Sequence, residues 1–116
     1  MNNDSTPTPQ NRRRCRRLLP KNGTRAICLR GSLGLGNNLA ISVLDLSEEG
    51  VRLLLKEPMV VGQELEINLE SINHRRPLKI LGNVAWAVPT ADGTCCVGVR
   101  FQRSLRYAEV TQLVRT

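Results

Sequence analysis

A chain of 116 residues is long enough for one packed domain and too short for two. Its hydrophobic fraction of 41% supports a core, but aromatic residues make up only 3% (Trp86, Phe101 and Tyr107), so that core is aliphatic. Residues 1–24 carry +5 of the formal +7 charge, which places an anionic partner at the N-terminal end. Four cysteines without C-x-x-C spacing and a single histidine argue against a zinc site and against base-assisted nucleophilic catalysis.

Residues 1–11, "MNNDSTPTPQN", are polar with two prolines and read as a disordered tail. An arginine cluster follows in "NRRRCRRLLP" (11–20), holding Arg12, Arg13, Arg14, Arg16 and Arg17 around Cys15, and "PKNG" (20–23) is a turn signal. From there strand follows strand. "TRAICLRG" (24–31) is the first, and the glycine-rich "GSLGLGNN" (31–38) reads as a flexible connection. Its G-x-x-G-x-G spacing is not that of a phosphate loop, and no helical pattern comes after it.

"LAISVLDLS" (39–47) and "GVRLLLK" (50–56) are the second and third strands, with Val51, Leu53 and Leu55 on one face and Arg52 on the other. "QELEINLES" (63–71) alternates cleanly, with Leu65, Ile67 and Leu69 expected inside and Glu64, Glu66, Asn68 and Glu70 outside. "LKILGNVAWAV" (78–88) is a long strand expected to bend at Gly82. "TCCVGVRF" (94–101) puts Cys95, Val97, Val99 and Phe101 on one face and Cys96 on the opposite one. Turn signals "EPMVVG", "NHRRP" and "PTADG" separate these runs, and His74 falls in the second as a solvated loop residue.

The last segment, "SLRYAEVTQLVRT" (104–116), lacks Gly and Pro. It predicts a closing helix over 104–115 with Ser104 as N-cap and Leu105, Ala108 and Leu113 on one face. The expected architecture is all-β: a six-stranded antiparallel β-barrel over 24–102, a short C-terminal α-helix and a flexible N-terminal arm over 12–23. The polar first ten residues lead to the expectation of no signal peptide, the apolar runs are too short to span a bilayer, and the cysteine usage suits a reducing cytoplasm.

Two stretches carry chemistry. The arginines supply charge and planar guanidinium forks for phosphates and base edges. "DLSEEG" (45–50) has the form D-x-S-x-x-G between two strands. There an Asp carboxylate can accept two hydrogen bonds from adjacent N–H groups of a base, a Ser hydroxyl acts at close range, and Gly permits a positive φ and close approach. Taken alone, the first stretch is a generic polyanion patch and the second an ordinary Asx or Ser turn.

Together, R-x-x-x-R at Arg13 and Arg17 followed about 28 residues later by D-x-S-x-x-G at Asp45, Ser47 and Gly50 resembles the PilZ domain family. The resemblance runs over roughly residues 12–114. It also includes "VLDLSEEGVRLLL", the strand at 62–69, "GNVAWAV" (82–88) and "VGVRF" (97–101).

The resemblance implies a cyclic di-GMP receptor that is not an enzyme. Arg13 and Arg17 would be the principal ligand pair, Asp45 and Ser47 the base contacts and Gly50 the backbone permission. Arg12 and Arg16 also satisfy R-x-x-x-R, but the run in this family commonly ends just before the strand lead-in, as Arg17 does before "LLP". An arginine immediately ahead of the motif, here Arg12, goes in the family with two intercalated ligand molecules in place of one. Arg52 is expected to face the ligand. Trp86 is expected either near the ligand or as the largest core side chain. No cofactor beyond the ligand is implied, and a protein partner would receive the signal in trans. Two other readings remain at this point: a PilZ-like adaptor that binds protein without nucleotide, and a basic barrel that binds nucleic acid nonspecifically. Three aromatics are few for the latter.

Overall fold

A computed structural model describes residues 18–71 and 77–114. The arginine cluster, Cys15 and His74 lie outside these residues. Six strands form one sheet: β1 (Arg25–Arg30), β2 (Ala40–Leu46), β3 (Gly50–Leu55), β4 (Glu64–Glu70), β5 (Leu78–Pro89) and β6 (Cys95–Phe101). One short helix follows, α1 (Tyr107–Thr111). The strand order is β1-β4-β5-β6-β3-β2, and every neighbouring pair is antiparallel. The expected β-barrel is therefore present, with a nearly closed seam between β1 and β2.

Two devices close that seam. At one end Leu39 N–H donates to the Cys28 carbonyl at 2.8 Å, and the Asn38 side-chain oxygen accepts from Cys28 N–H at 2.8 Å and Ala40 N–H at 3.0 Å. A single amide thus staples β1 to β2. At the other end the chain ahead of β1 lies in the gap as a strap. Leu18 exchanges two backbone hydrogen bonds with Leu46, at 2.8 and 2.9 Å. Lys21 N–H and the Thr24 hydroxyl both donate to the Leu113 carbonyl, at 2.9 and 3.0 Å.

The core is aliphatic, as the composition requires: Val51, Leu53, Leu55, Leu65, Ile67, Leu69 and Val97 are essentially inaccessible. Each such side chain contributes about 1.5–3 kcal/mol by leaving water. Cys95 is buried among them and Cys96 is partly exposed on the other face.

Four expectations need correction. The helix is five residues long with Arg106 as its N-cap, in place of a helix over 104–115 capped by Ser104. The reason is that Leu105 N–H is taken by the Glu48 carbonyl at 2.7 Å, so the chain before Arg106 is extended against the barrel. Ala108 is exposed, and the buried residues of this segment are Leu105, Val110, Leu113 and Val114.

Glu66 lies on the outer side of β4 but is only 3% exposed. The 31–38 loop folds over it, bringing the Gly34 backbone beside its carboxylate. Lys79 Nζ stands 3.7 Å from that carboxylate. Finally, the irregularity of β5 falls between Val84 and Trp86, not at Gly82. Gly82 serves another need: a Cβ there would meet Val99 Cγ1 at 2.6 Å and the Arg100 carbonyl at 2.8 Å.

Candidate ligand-binding face

The register of β2 skips at two places, between Ala40 and Ser42 and between Val43 and Asp45. Each skip is a β-bulge that inserts one residue without a partner. Val43 opposes Leu53 and points into the core. Leu44 is then the extra residue, so Asp45 opposes Arg52 on the outer face and Leu46 returns to the core opposite Val51. Plain alternation from Val43 would have turned Asp45 inward. The bulge re-aims it.

The same device operates in β5. Val84 opposes Val99 inside, Ala85 is the extra residue, and Trp86 opposes Gly98 on the outer face. Trp86 is half-buried and lies outside the core cluster, so it is not the largest core side chain. Gly98 in turn opposes Arg52 across the β6–β3 ladder. One row therefore runs over four strands: Asp45, Arg52, Gly98, Trp86. At about 4.8 Å per strand it spans about 14 Å.

Within this row Arg52 Nη2 donates to Asp45 Oδ2 at 2.7 Å. Asp45 is 6% exposed, while the Arg52 side chain keeps 43% of its surface in water. Arg52 Nε is buried and has no hydrogen-bond partner among the described residues. The carboxylate is thus fixed in place and the guanidinium retains unused donors. Beside them the Trp86 indole lies over Gly98, where no side chain intervenes.

The turn beyond Asp45 is held tightly. Ser47 N–H donates to the Gly50 carbonyl at 2.9 Å, and Ser47 Oγ accepts from Glu49 N–H at 3.3 Å. Phe101 N–H and Leu105 N–H donate to the Glu49 and Glu48 carbonyls, so the turn is clamped from the C-terminal side. Gly50 does not need the positive φ expected of it. Its φ is not positive, but a Cβ there would collide with the Val99 carbonyl oxygen. The close neighbour is this protein's own β6 backbone.

The glycine-rich loop at 31–38 stands apart from this face. Gly31, Gly34 and Gly36 take positive φ, and the loop borders a cavity of about 620 Å³ with Arg30, Lys56 and Glu57. Among the described residues, none of the motif positions lines it.

A scan against protein-family models matches the PilZ domain over residues 11–116. The chain belongs to the PilZ domain family. A search of curated proteins returns no match. PilZ domains are cyclic di-GMP-binding adaptor domains and not enzymes. Among the described residues no helix is long and apolar enough to cross a membrane, and no cluster of His, Cys, Asp and Glu could hold a metal ion.

Of the residues singled out in the sequence, Asp45, Ser47 and Gly50 share one turn, and Arg52 and Trp86 join Asp45 in one row. Arg12, Arg13 and Arg17 lie outside the described residues. Leu18, the first described residue, pairs with Leu46, between Asp45 and Ser47 in sequence. Two contributors escaped the sequence reading: Leu18 as the anchor of the arm, and Gly98 as the seat of the indole. For Gly98 the signal was available, since "VGVRF" places a glycine on the face opposite Val97 and Val99.

Proposed function

We propose that this PilZ domain is a cyclic di-GMP receptor in a bacterial cytoplasm. In this reading its N-terminal arginines close over a ligand seated on the Asp45–Trp86 face. The observation that carries the reading is the pairing of Leu18 with Leu46. It fixes the root of the arm beside the D-x-S-x-x-G turn. At no more than about 3.6 Å per residue, Arg17 starts within one residue of that turn and Arg13 within about 18 Å. Chain connectivity thus keeps the two halves of the motif, 28 residues apart in sequence, within reach of each other.

Each group then has a role. Arg13 and Arg17 meet the phosphates and the guanine O6/N7 edge through charge-assisted, bidentate hydrogen bonds. Asp45 accepts from a guanine N–H edge, Ser47 hydrogen-bonds at close range, and Arg52 offers its spare donors. Trp86 supplies an aromatic surface for a base. Arg12 supports a second, intercalated ligand molecule.

Ligand binding orders the arm, and the ordered arm is read by a protein partner in trans. The change is a population shift driven by contacts made only in the closed state, with no chemistry on the ligand. Isothermal titration with cyclic di-GMP, with GMP as control, tests this. A saturable isotherm is expected, and a stoichiometry near two ligands per chain supports the role of Arg12 while a value near one removes it. No heat and no shift in melting temperature would overturn the reading.

A further inference from the structure

Glycine is used at a strand position for three reasons: a left-handed backbone, close approach of another backbone, or room for a side chain. Gly98 does not take a positive φ. Nor is backbone the nearest obstacle to a side chain there. A Cβ at Gly98 would fall 2.9 Å from Trp86 Cδ1 and closer still to Nε1 and Cε2. The third reason therefore applies, and one side chain accounts for it: the five-membered ring of the indole occupies the volume that any other residue at 98 would fill.

The consequence is geometric. Residue 98 stands between Trp86 and Arg52 in the row, opposite both of them in the β5–β6 and β6–β3 ladders. With a side chain at 98 the ring would have to stand away from β6. Without one it lies over residue 98, the position that separates it from the Asp45–Arg52 pair in the row. Two features cooperate here. The bulge at Ala85 turns Trp86 outward, and the missing Cβ at 98 sets how the ring then lies.

Building on the cyclic di-GMP reading above, we infer that Gly98 is a positioning residue for the ligand. By seating the Trp86 indole flat against β6, it creates the surface on which a purine base packs beside Arg52. Gly98 acts through Trp86 and makes no ligand contact of its own.

The experiment is a double-mutant cycle on the full chain with Gly98→Ala, Trp86→Ala, Trp86→Phe, Gly98→Ala/Trp86→Ala and Gly98→Ala/Trp86→Phe. Cyclic di-GMP affinity is measured by calorimetry and ring environment by fluorescence. The chain has one tryptophan, so emission reports Trp86 alone. G98A should shift the emission maximum and weaken binding roughly tenfold, about as much as W86A does, since stacking on an aromatic is worth about that factor per base. G98A should cost nothing further when Trp86 is already Ala, and much less when it is Phe, which lacks the ring lying over residue 98.

Two results would overturn the proposal. One is a shifted emission maximum with unchanged affinity. The other is the same tenfold loss from G98A in the W86A background, which would make Gly98 a structural residue independent of the indole. If G98A alone does not fold, Gly98→Ala/Trp86→Ala is compared with Trp86→Ala: equal stability and affinity support the proposal, and a further loss overturns it. Wild-type protein that binds no cyclic di-GMP overturns the functional reading itself, whereas wild-type binding with an unaffected G98A overturns only the role of Gly98.

Discussion

Arg52 and Asp45 stand directly opposite one another in the β2–β3 ladder and form an ion pair of 2.7 Å. In the free protein the guanidinium already meets one carboxylate oxygen, which holds the carboxylate in position. Asp45→Ala removes the acceptor. It should weaken cyclic di-GMP binding by about 10- to 100-fold, the range of about 1–3 kcal/mol for a bidentate base contact. Because Arg52 keeps 43% of its side-chain surface in water, the same change should cost stability only about 1 kcal/mol or less. Calorimetry and urea denaturation measure the two separately. Binding to a polyanion such as heparin should be unaffected by Asp45→Ala and Ser47→Ala, and reduced by replacing Arg13 and Arg17.

Gly50 should not accept even a methyl group. A Cβ at this position would overlap the Val99 carbonyl oxygen and lie 3.5 Å from its carbon, and both belong to backbone that cannot step aside. Gly50→Ala should therefore destabilise the barrel by about 1–3 kcal/mol, as overpacking does. It should also lower affinity for the ligand by disturbing the Ser47 turn. A melting temperature equal to that of the wild type would show that β6 yields without cost.

Burial pushes the Cys28 thiol up from 9.0 to about 12, against a smaller opposing pull from the Arg30 guanidinium. The native state therefore keeps a proton that the unfolded chain releases above pH 9. Stability should be unaffected by this group below about pH 9 and decline as pH rises toward 12. Cys28 should also resist alkylation at pH 8.5 in the folded protein, while the partly exposed Cys96 reacts first. Mass spectrometry after brief iodoacetamide treatment distinguishes the two.

At the tip of the β5–β6 hairpin the Asp92 carboxylate accepts from the Thr90 and Thr94 hydroxyls and from Thr94 N–H. These hydrogen bonds, Thr90 first, lower its pKa from 3.8 to about 2. The ionised form is the one the turn prefers, so its contribution is present above pH 3.8 and lost as pH falls through about 2. An NMR titration should place the Asp92 midpoint near 2, and Thr90→Val should raise it. A midpoint at the ordinary value would mean the turn does not hold the carboxylate in solution.

The strands were legible because their faces differ so plainly: "QELEINLES" and "TCCVGVRF" announce period 2, and the turns between them carry Gly, Pro, Asn or Asp. The arrangement of the site was less so. A β-bulge inserts one ordinary residue, here Leu44 or Ala85, and nothing in the side chain marks it. Counting by twos therefore sends Asp45 and Trp86 to the wrong face. Glu66 was hidden for another reason: its strand does place it outward, and a loop 32 residues earlier in the sequence covers it. The helix was overextended because Leu105, Ala108 and Leu113 stand at helical spacing, yet Ala108 is exposed and the two leucines are buried from extended and turn backbone on either side of α1.

The strap has a consequence for how the protein is born. Thr24 reaches across 89 residues to the carbonyl of Leu113. On a ribosome β1 and β2 emerge first. The sheet order keeps them at opposite edges, with the later-made β4, β5 and β6 still to fill in between. The gap between them cannot be sealed until residue 113 has been made. Until then Leu18, the first described residue, has its backbone pairing with Leu46 but the strap behind it is not yet fastened. A nascent chain should thus fasten the strap last, after all six strands have been made.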